Sequence, residues 1–292
     1  IFGNSLYTLS ASSLFILPFA IAFGRWFTDA KIAQPISWLT VAIGGLAFAY
    51  ILIGAGLRKT QIHARWLFAV GHVLAGAALF ILPFDYLIYS EKWQHTAALC
   101  ALGIGIGSYL LSFILQHSEQ HASLTEVSKW LPFGFGKSLF LWPIGLLIPI
   151  WLTVAWRGND LSTLWLGATL ATLGLAYIGV GHGLFKYAKE YRLPFHTYVY
   201  LLCTIGILIA IPSSIIATNA EWYPLLTALR IVVASSSILA YIYNRIIETI
   251  VASLLFIWSF QLALQLFETP AYTQTLTYVL LASLIYTPIT IF

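Results

Sequence analysis

Phe15-Ile16-Leu17-Pro18-Phe19 recurs unchanged as Phe80-Ile81-Leu82-Pro83-Phe84, with weaker echoes at Leu147-Ile148-Pro149-Ile150 and Ala210-Ile211-Pro212. The four prolines stand 65, 66 and 63 residues apart. One membrane crossing takes about 20 apolar residues, so this interval suits two crossings with their loops. The sequence therefore reads as an all-α integral membrane protein, a row of tandem transmembrane helix hairpins of about 65 residues.

Composition agrees. Only 8% of the 292 residues are charged, 60% are hydrophobic, and the mean hydropathy is +0.88. A soluble domain carries about 25% charged residues, so most of this perimeter must meet a lipid bilayer. The net charge of +4 is spread over membrane-flanking loops and forms no basic patch, which argues against nucleic acid as a partner. Cys100 and Cys203 both lie inside apolar runs and read as small core residues. The chain has no methionine and begins at Ile1, from which a processed or incomplete sequence is expected.

Hydropathy and loop punctuation give ten expected spans: 6–24, 37–57, 65–87, 95–116, 138–156, 162–184, 195–217, 224–243, 249–267 and 272–290. They form one polytopic domain, 1–292, with hairpins at about 1–62, 63–130, 131–192, 193–247 and 248–292. Loops after even-numbered spans hold nine Lys/Arg residues (Arg58, Lys59, Arg65, Lys129, Lys137, Lys186, Lys189, Arg192, Arg245) against five on the other side. The positive-inside rule then places the even loops and both termini in the cytoplasm, in a bacterial-type inner membrane. Trp26, Trp38, Trp93, Trp156 and Trp222 fall at the opposite boundary, where indole rings favour the headgroup level.

A longer period overlies the hairpins. Gly45-Leu46-Ala47-Phe48-Ala49-Tyr50 followed by Gly54-Ala55-Gly56-Leu57 is matched by Gly174-Leu175-Ala176-Tyr177 followed by Gly181-His182-Gly183-Leu184, a four-helix period of about 128 residues. Gly103-x-x-x-Gly107 and Gly179-x-x-x-Gly183 are small-xxx-small pairs of the kind that let helix backbones approach, and are expected to seat hairpin against hairpin. The whole pattern, with Ala64-Arg65-Trp66-Leu67 at a basic inner loop and Glu91-Lys92-Trp93 and Glu221-Trp222 at outer loops, resembles a group of large, uncharacterised bacterial multi-pass proteins built from tandem hairpins. The resemblance implies a fragment or relative of a helical-hairpin array. It implies no catalytic activity.

Few residues point to chemistry. His72, in Gly71-His72-Val73-Leu74-Ala75-Gly76, and His182, in Gly179-Val180-Gly181-His182-Gly183, are flanked by glycines that could let a haem or a chlorophyll-type pigment approach and be ligated. A polar side chain that reaches the interface or bonds a neighbouring helix carbonyl is the favoured reading of both. Arg230 lies six residues after Pro224, inside the eighth span, with Asp85, Glu91 and Glu221 as the acids on its side; an intramembrane Arg230–Asp85 clamp is expected over a transport site. His117 and His121 share a helix face at i and i+4, but Ser118 stands where a zinc protease would need glutamate, so an exposed loop is expected. No phosphate loop, nucleophile elbow or triad spacing is visible, and the chain reads as a non-enzyme.

Three functions fit these observations. The first is a structural or accessory subunit packing laterally among other membrane subunits. The second is a secondary transporter of small solutes of the ten-helix drug/metabolite type, to whose helix starts Tyr223–Arg230 bears a faint likeness. The third is a pigment- or haem-binding subunit. Inverted transporter halves need an odd number of helices per repeat; the unit here is two or four, which favours the structural subunit. Cysteine labels introduced at Lys59 and Lys189 should react only from the cytoplasm, and a label at Asn159 only from outside; reversed labelling would overturn the orientation.

Overall fold

The computed structural model describes residues 5–29, 35–57, 61–88, 92–116, 138–216, 222–244 and 246–266. Among these residues the chain is helical and has no strand. The helices are α1 (Ser5–Asp29), α2 (Pro35–Gly56), α3 (Gln61–Ile88), α4 (Lys92–Gln116), α5 (Leu141–Gly158), α6 (Thr163–Phe185), α7 (Arg192–Ile216), α8 (Tyr223–Tyr243) and α9 (Ile246–Leu266), with a 3-10 turn at Lys189–Tyr191 before α7. Each of the first nine expected spans overlaps one of them. The tenth span, 272–290, and the His117/His121 pair lie outside the described residues.

Eight helices, α2 to α9, are long and apolar enough to cross a membrane, and α1 carries a shorter apolar stretch, Ser10–Trp26. Their outward faces are apolar too: Val73 is 72% exposed and Phe80 70%. That arrangement fits lipid and would be costly in water. Helices suit this setting because every backbone N–H and C=O is satisfied within the segment. The embedded hydroxyls follow the same logic. Ser108, Ser112, Thr153, Thr172 and Ser253 each donate to the carbonyl four residues back, at 2.8 or 2.9 Å.

The helices fall into two compact units, Ile1–Leu161 and Ser162–Phe292, so the expected third hairpin, 131–192, is divided between them. In the first unit α2 packs chiefly on α3 and also on α4, α4 packs on α5, and α1 lies on α3 and α2. In the second unit α6 packs chiefly on α7 and also on α8, and α8 packs on α9 and α7. The expected hairpins pair α1 with α2, α3 with α4 and α7 with α8. The more extensive packings are instead α2 on α3, α4 on α5, α6 on α7 and α8 on α9, one helix out of step.

Glycine accounts for the shift at the two most extensive of these packings. In the first unit a side chain on Gly71 would meet Ile51 at 2.9 Å and the Ala47 carbonyl at 3.0 Å, so α3 rides directly on the α2 backbone. In the second unit Gly167 and Gly206 face one another: a side chain on Gly206 would stand 2.7 Å from the Gly167 carbonyl oxygen, and one on Gly167 would collide with the Gly206 carbonyl. Gly174 continues this seam beside the Cys203 thiol at 3.4 Å.

The two small-xxx-small pairs do not form the seats expected of them. Nothing described lies within 4 Å of where Cβ atoms would stand on Gly107, Gly179 or Gly183, and Gly103 meets only Trp151 Nε1 at 4.0 Å. The glycine in the middle of each pair makes the contact. Gly105 meets Leu79 at 3.3 Å, and Gly181 meets the His196 ring at 2.7 Å. Two residues along a helix is a rotation of about 200°, so the middle position faces the opposite side from the outer two.

Of the four repeat prolines, Pro18 and Pro83 are exposed and Pro149 is buried, while the Pro212 side chain lies outside the described residues. Apolar side chains fill the remaining space, around Ala47, Tyr50, Leu67, Val70 and Leu74 in the first unit and around Ala210, Leu225, Leu226, Leu229 and Leu262 in the second.

Because Gly206 meets backbone, which cannot rotate away, Gly206→Val should lower stability by at least about 2 kcal/mol in detergent unfolding. Gly179→Ala, on an open face, should stay within about 0.5 kcal/mol of the parent. Equal effects from the two would contradict this packing.

Candidate functional site

The second unit gathers its polar side chains where α6, α7, α8 and α9 meet at one end. After α6 the chain turns on itself, with the Tyr187 and Ala188 N–H groups donating to the Leu184 carbonyl at 3.0 and 3.3 Å. The short turn Lys189–Tyr191 then buries Tyr191, and α7 starts with Pro194 in its first turn, where a missing N–H costs nothing. This entry sets Arg192 with its guanidinium 4.5 Å from the Phe185 ring centre and 5.1 Å from that of Tyr243. Two aromatic faces stabilise this half-buried cation.

One turn further along α7, His196 is 2% exposed. Its ring fills the notch left by Gly181, where any side chain would clash at 2.7 to 2.8 Å. His196 Nδ1 and the Tyr243 hydroxyl share a 2.6 Å hydrogen bond, and the two rings meet edge to face, 5.5 Å apart. Tyr243 ends α8. Asn244 follows in the left-handed conformation (φ 50°, ψ 48°), a stop suited to asparagine, and α9 begins at Ile246. In the first turn of α9, Glu248 is buried and accepts a hydrogen bond from the Tyr200 hydroxyl at 3.1 Å. A carboxylate there also faces the positive end of the α9 dipole. Thus α7 holds the last residue of α8 and the first turn of α9, pinning the tight turn between them from both sides.

The first unit places His72 differently. Its Nδ1–H donates to the Phe68 carbonyl at 2.7 Å, so Nε2 carries the lone pair. That nitrogen is buried with no hydrogen-bond partner, its ring 5.0 Å from Phe140 and 5.8 Å from Tyr109. A metal-ligating histidine often bonds a carbonyl through its other nitrogen in this way. Here α2 fills the space beside Gly71, and Nε2 is itself buried. His182 is exposed on the last turn of α6, between the open positions Gly179 and Gly183.

His72 and His182 belong to different units, as do Asp85, in the last turn of α3, and Arg230, exposed on α8. The Asp85 side chain lies outside the described residues. Both cysteines are free thiols, Cys100 exposed and Cys203 buried. Among the described residues no three His, Cys, Asp or Glu side chains gather as metal ligands.

The His196–Tyr243 and Tyr200–Glu248 bonds were not anticipated from sequence, since their partners are 47 and 48 residues apart. A signal was present: Arg192, His196 and Tyr200 recur at every fourth residue, which puts three polar groups on one stripe of an otherwise apolar helix.

The chain matches no protein-family model, no curated protein and no solved structure.

A double-mutant cycle with His196→Phe and Tyr243→Phe should give a coupling of about 1 kcal/mol in detergent unfolding. Additive losses would mean that the 2.6 Å contact contributes nothing to holding the α8–α9 turn.

Proposed function

We propose that this chain is a structural or accessory polytopic subunit that packs sideways into a larger assembly in a bacterial-type inner membrane, its Lys/Arg-rich loops on the cytoplasmic side. One observation carries the reading: α6 has two glycine faces, and among the described residues only one of them is packed. Gly167, Gly174 and Gly181 are filled by α7, whereas Gly179 and Gly183, with the exposed Thr172 and Ala176, form a second smooth stripe with nothing described against the two glycines. In lipid, helices associate through close backbone approach more than through hydrophobic burial, so a stripe of this kind fits a transmembrane helix of another subunit.

A repeated packing register supports the array. Gly54 meets the Phe68 ring at 3.3 Å as Gly181 meets the His196 ring at 2.7 Å. Gly71 meets the Ala47 carbonyl at 3.0 Å, and Gly174 lies 3.6 Å from the Val199 carbonyl. Residues 54 and 47 correspond to 181 and 174, an offset of 127; residues 68 and 71 correspond to 196 and 199, an offset of 128. In the second pair the glycine has changed helix while the close approach is kept. A four-helix repeat preserves orientation from copy to copy and extends as a row.

The polar groups support a structural role as well. Tyr50 donates to the Ser12 carbonyl at 2.9 Å, and Trp151 Nε1 to the Leu99 carbonyl at 3.2 Å, so both tie neighbouring helices together. The test is recovery of the tagged full chain from native membranes in mild detergent. The parent should bring down at least one other membrane protein in fixed proportion. Gly179→Leu with Gly183→Leu should lose it, while Gly45→Leu, also at an open position, should retain it. A parent that purifies alone, or a double variant that keeps its companion, would refute the reading.

A further inference from the structure

Residues of α8 and α9 beside their turn together line a groove of about 580 Å³. Its lining changes with depth. Counted along the two helices from the turn, Asn244 and Thr249 come first, Ser237 and Ser253 next, and Val233 and Phe256 furthest. At 1.5 Å per residue, Ser237 is about 10 Å and Val233 about 16 Å below Asn244 along α8. Polar rim, hydroxyls at middle depth and apolar floor follow the order of headgroup, ester and acyl chain in a membrane lipid.

We propose that this groove is a binding site for one anionic glycerophospholipid. Two observations independent of the groove's shape point to that ligand. The first is charge. The Arg192 guanidinium lies 5.1 Å from the ring of Tyr243, the residue before Asn244, and Arg245 occupies the turn itself in sequence. Lys186 and Lys189 precede the same end of α7. Two acids lie near, Glu190 in the turn before α7 and Glu248, which Tyr200 of α7 holds, against the four cations. A negative headgroup at the rim therefore meets an excess of cations, each favouring an anionic lipid over a zwitterionic one.

The second observation is Ser237. Ser108, Ser112 and Ser253 spend their hydroxyl hydrogens on carbonyls of their own helices. Ser237 makes no such bond among the described residues, yet it faces outward on a membrane helix. An unspent hydroxyl in that setting favours an acceptor from outside the protein, and the glycerol-ester carbonyls lie at that depth. Tyr241, 90% exposed beside the groove, suits the same boundary, with an apolar ring and a hydroxyl that reaches water. The site stands whether or not a partner helix docks on α6, because it uses a different pair of helices.

The experiment is native mass spectrometry of the detergent-purified full chain, titrated in turn with dioleoyl phosphatidylglycerol, dioleoyl phosphatidylcholine and inorganic phosphate. One phosphatidylglycerol should be retained about tenfold more strongly than phosphatidylcholine, as an excess of two or more interfacial cations implies. Inorganic phosphate alone should not displace it. Ser237→Trp should abolish the preference by filling the groove, and Ser237→Ala, which changes no packing, should weaken retention about fivefold. Leu208→Trp, on an exposed face of α7, should leave it unchanged. Equal retention of the two lipids, displacement by phosphate, or full retention by Ser237→Ala would each overturn the proposal.

Discussion

Helices in lipid gain little by hiding apolar side chains from one another, because the lipid is as apolar as they are. What remains is contact, and contact is greatest where no side chain separates two backbones. Gly167 against Gly206 is that case: each glycine stands where a Cβ on the other would need to be. The rest of the second unit follows from this seat. With α6 and α7 fixed at Gly167, Gly174 and Gly206, the notch at Gly181 accepts the His196 ring, and His196 reaches Tyr243. The first unit uses Gly71 on Ala47 and Gly54 under Phe68 to the same end.

The polar groups then divide by cost. A hydroxyl can return its hydrogen to its own helix, as Ser108 and Thr172 do, and adds nothing between helices. A buried histidine or carboxylate needs a partner on another helix. His196 and Glu248 find theirs in Tyr243 and Tyr200, on either side of one tight turn. In the first unit the apolar ring of Phe68 packs on Gly54 as the His196 ring packs on Gly181. The scaffold therefore accommodates either side chain, and the polar pins of the second unit are an addition to it.

The spans were legible in sequence because a membrane demands about 20 apolar residues whatever the neighbours are. Which helices pack most closely was not. The pentapeptide repeat marks proline-bearing helices, yet Pro18 and Pro83 face outward and set no seam. A small-xxx-small pattern reports spacing and says nothing of direction. At both Gly103/Gly107 and Gly179/Gly183 the seat is the glycine between, and only the neighbouring helix decides which of two opposite faces is used. His72 and His182 stood out for their glycines, but Gly71 serves α2 and Gly181 serves His196. The stripe Arg192, His196, Tyr200 was the better polar signal, since period four on an apolar helix identifies a face without requiring a motif.

Bare backbone contact holds the helices together in the bilayer, and its most direct measure is a distance. In solid-state NMR of the full chain in lipid vesicles, with glycine as the only carbon-13 label, Gly206 Cα should correlate with the Gly167 carbonyl. The separation should be about 4.5 Å, a Cα–H···O contact extended by the C=O bond, and the signal should vanish in Gly206→Ala. A well-folded sample without that correlation would contradict the account, because α6 and α7 would then meet through side chains and the registers built on their seat would not hold.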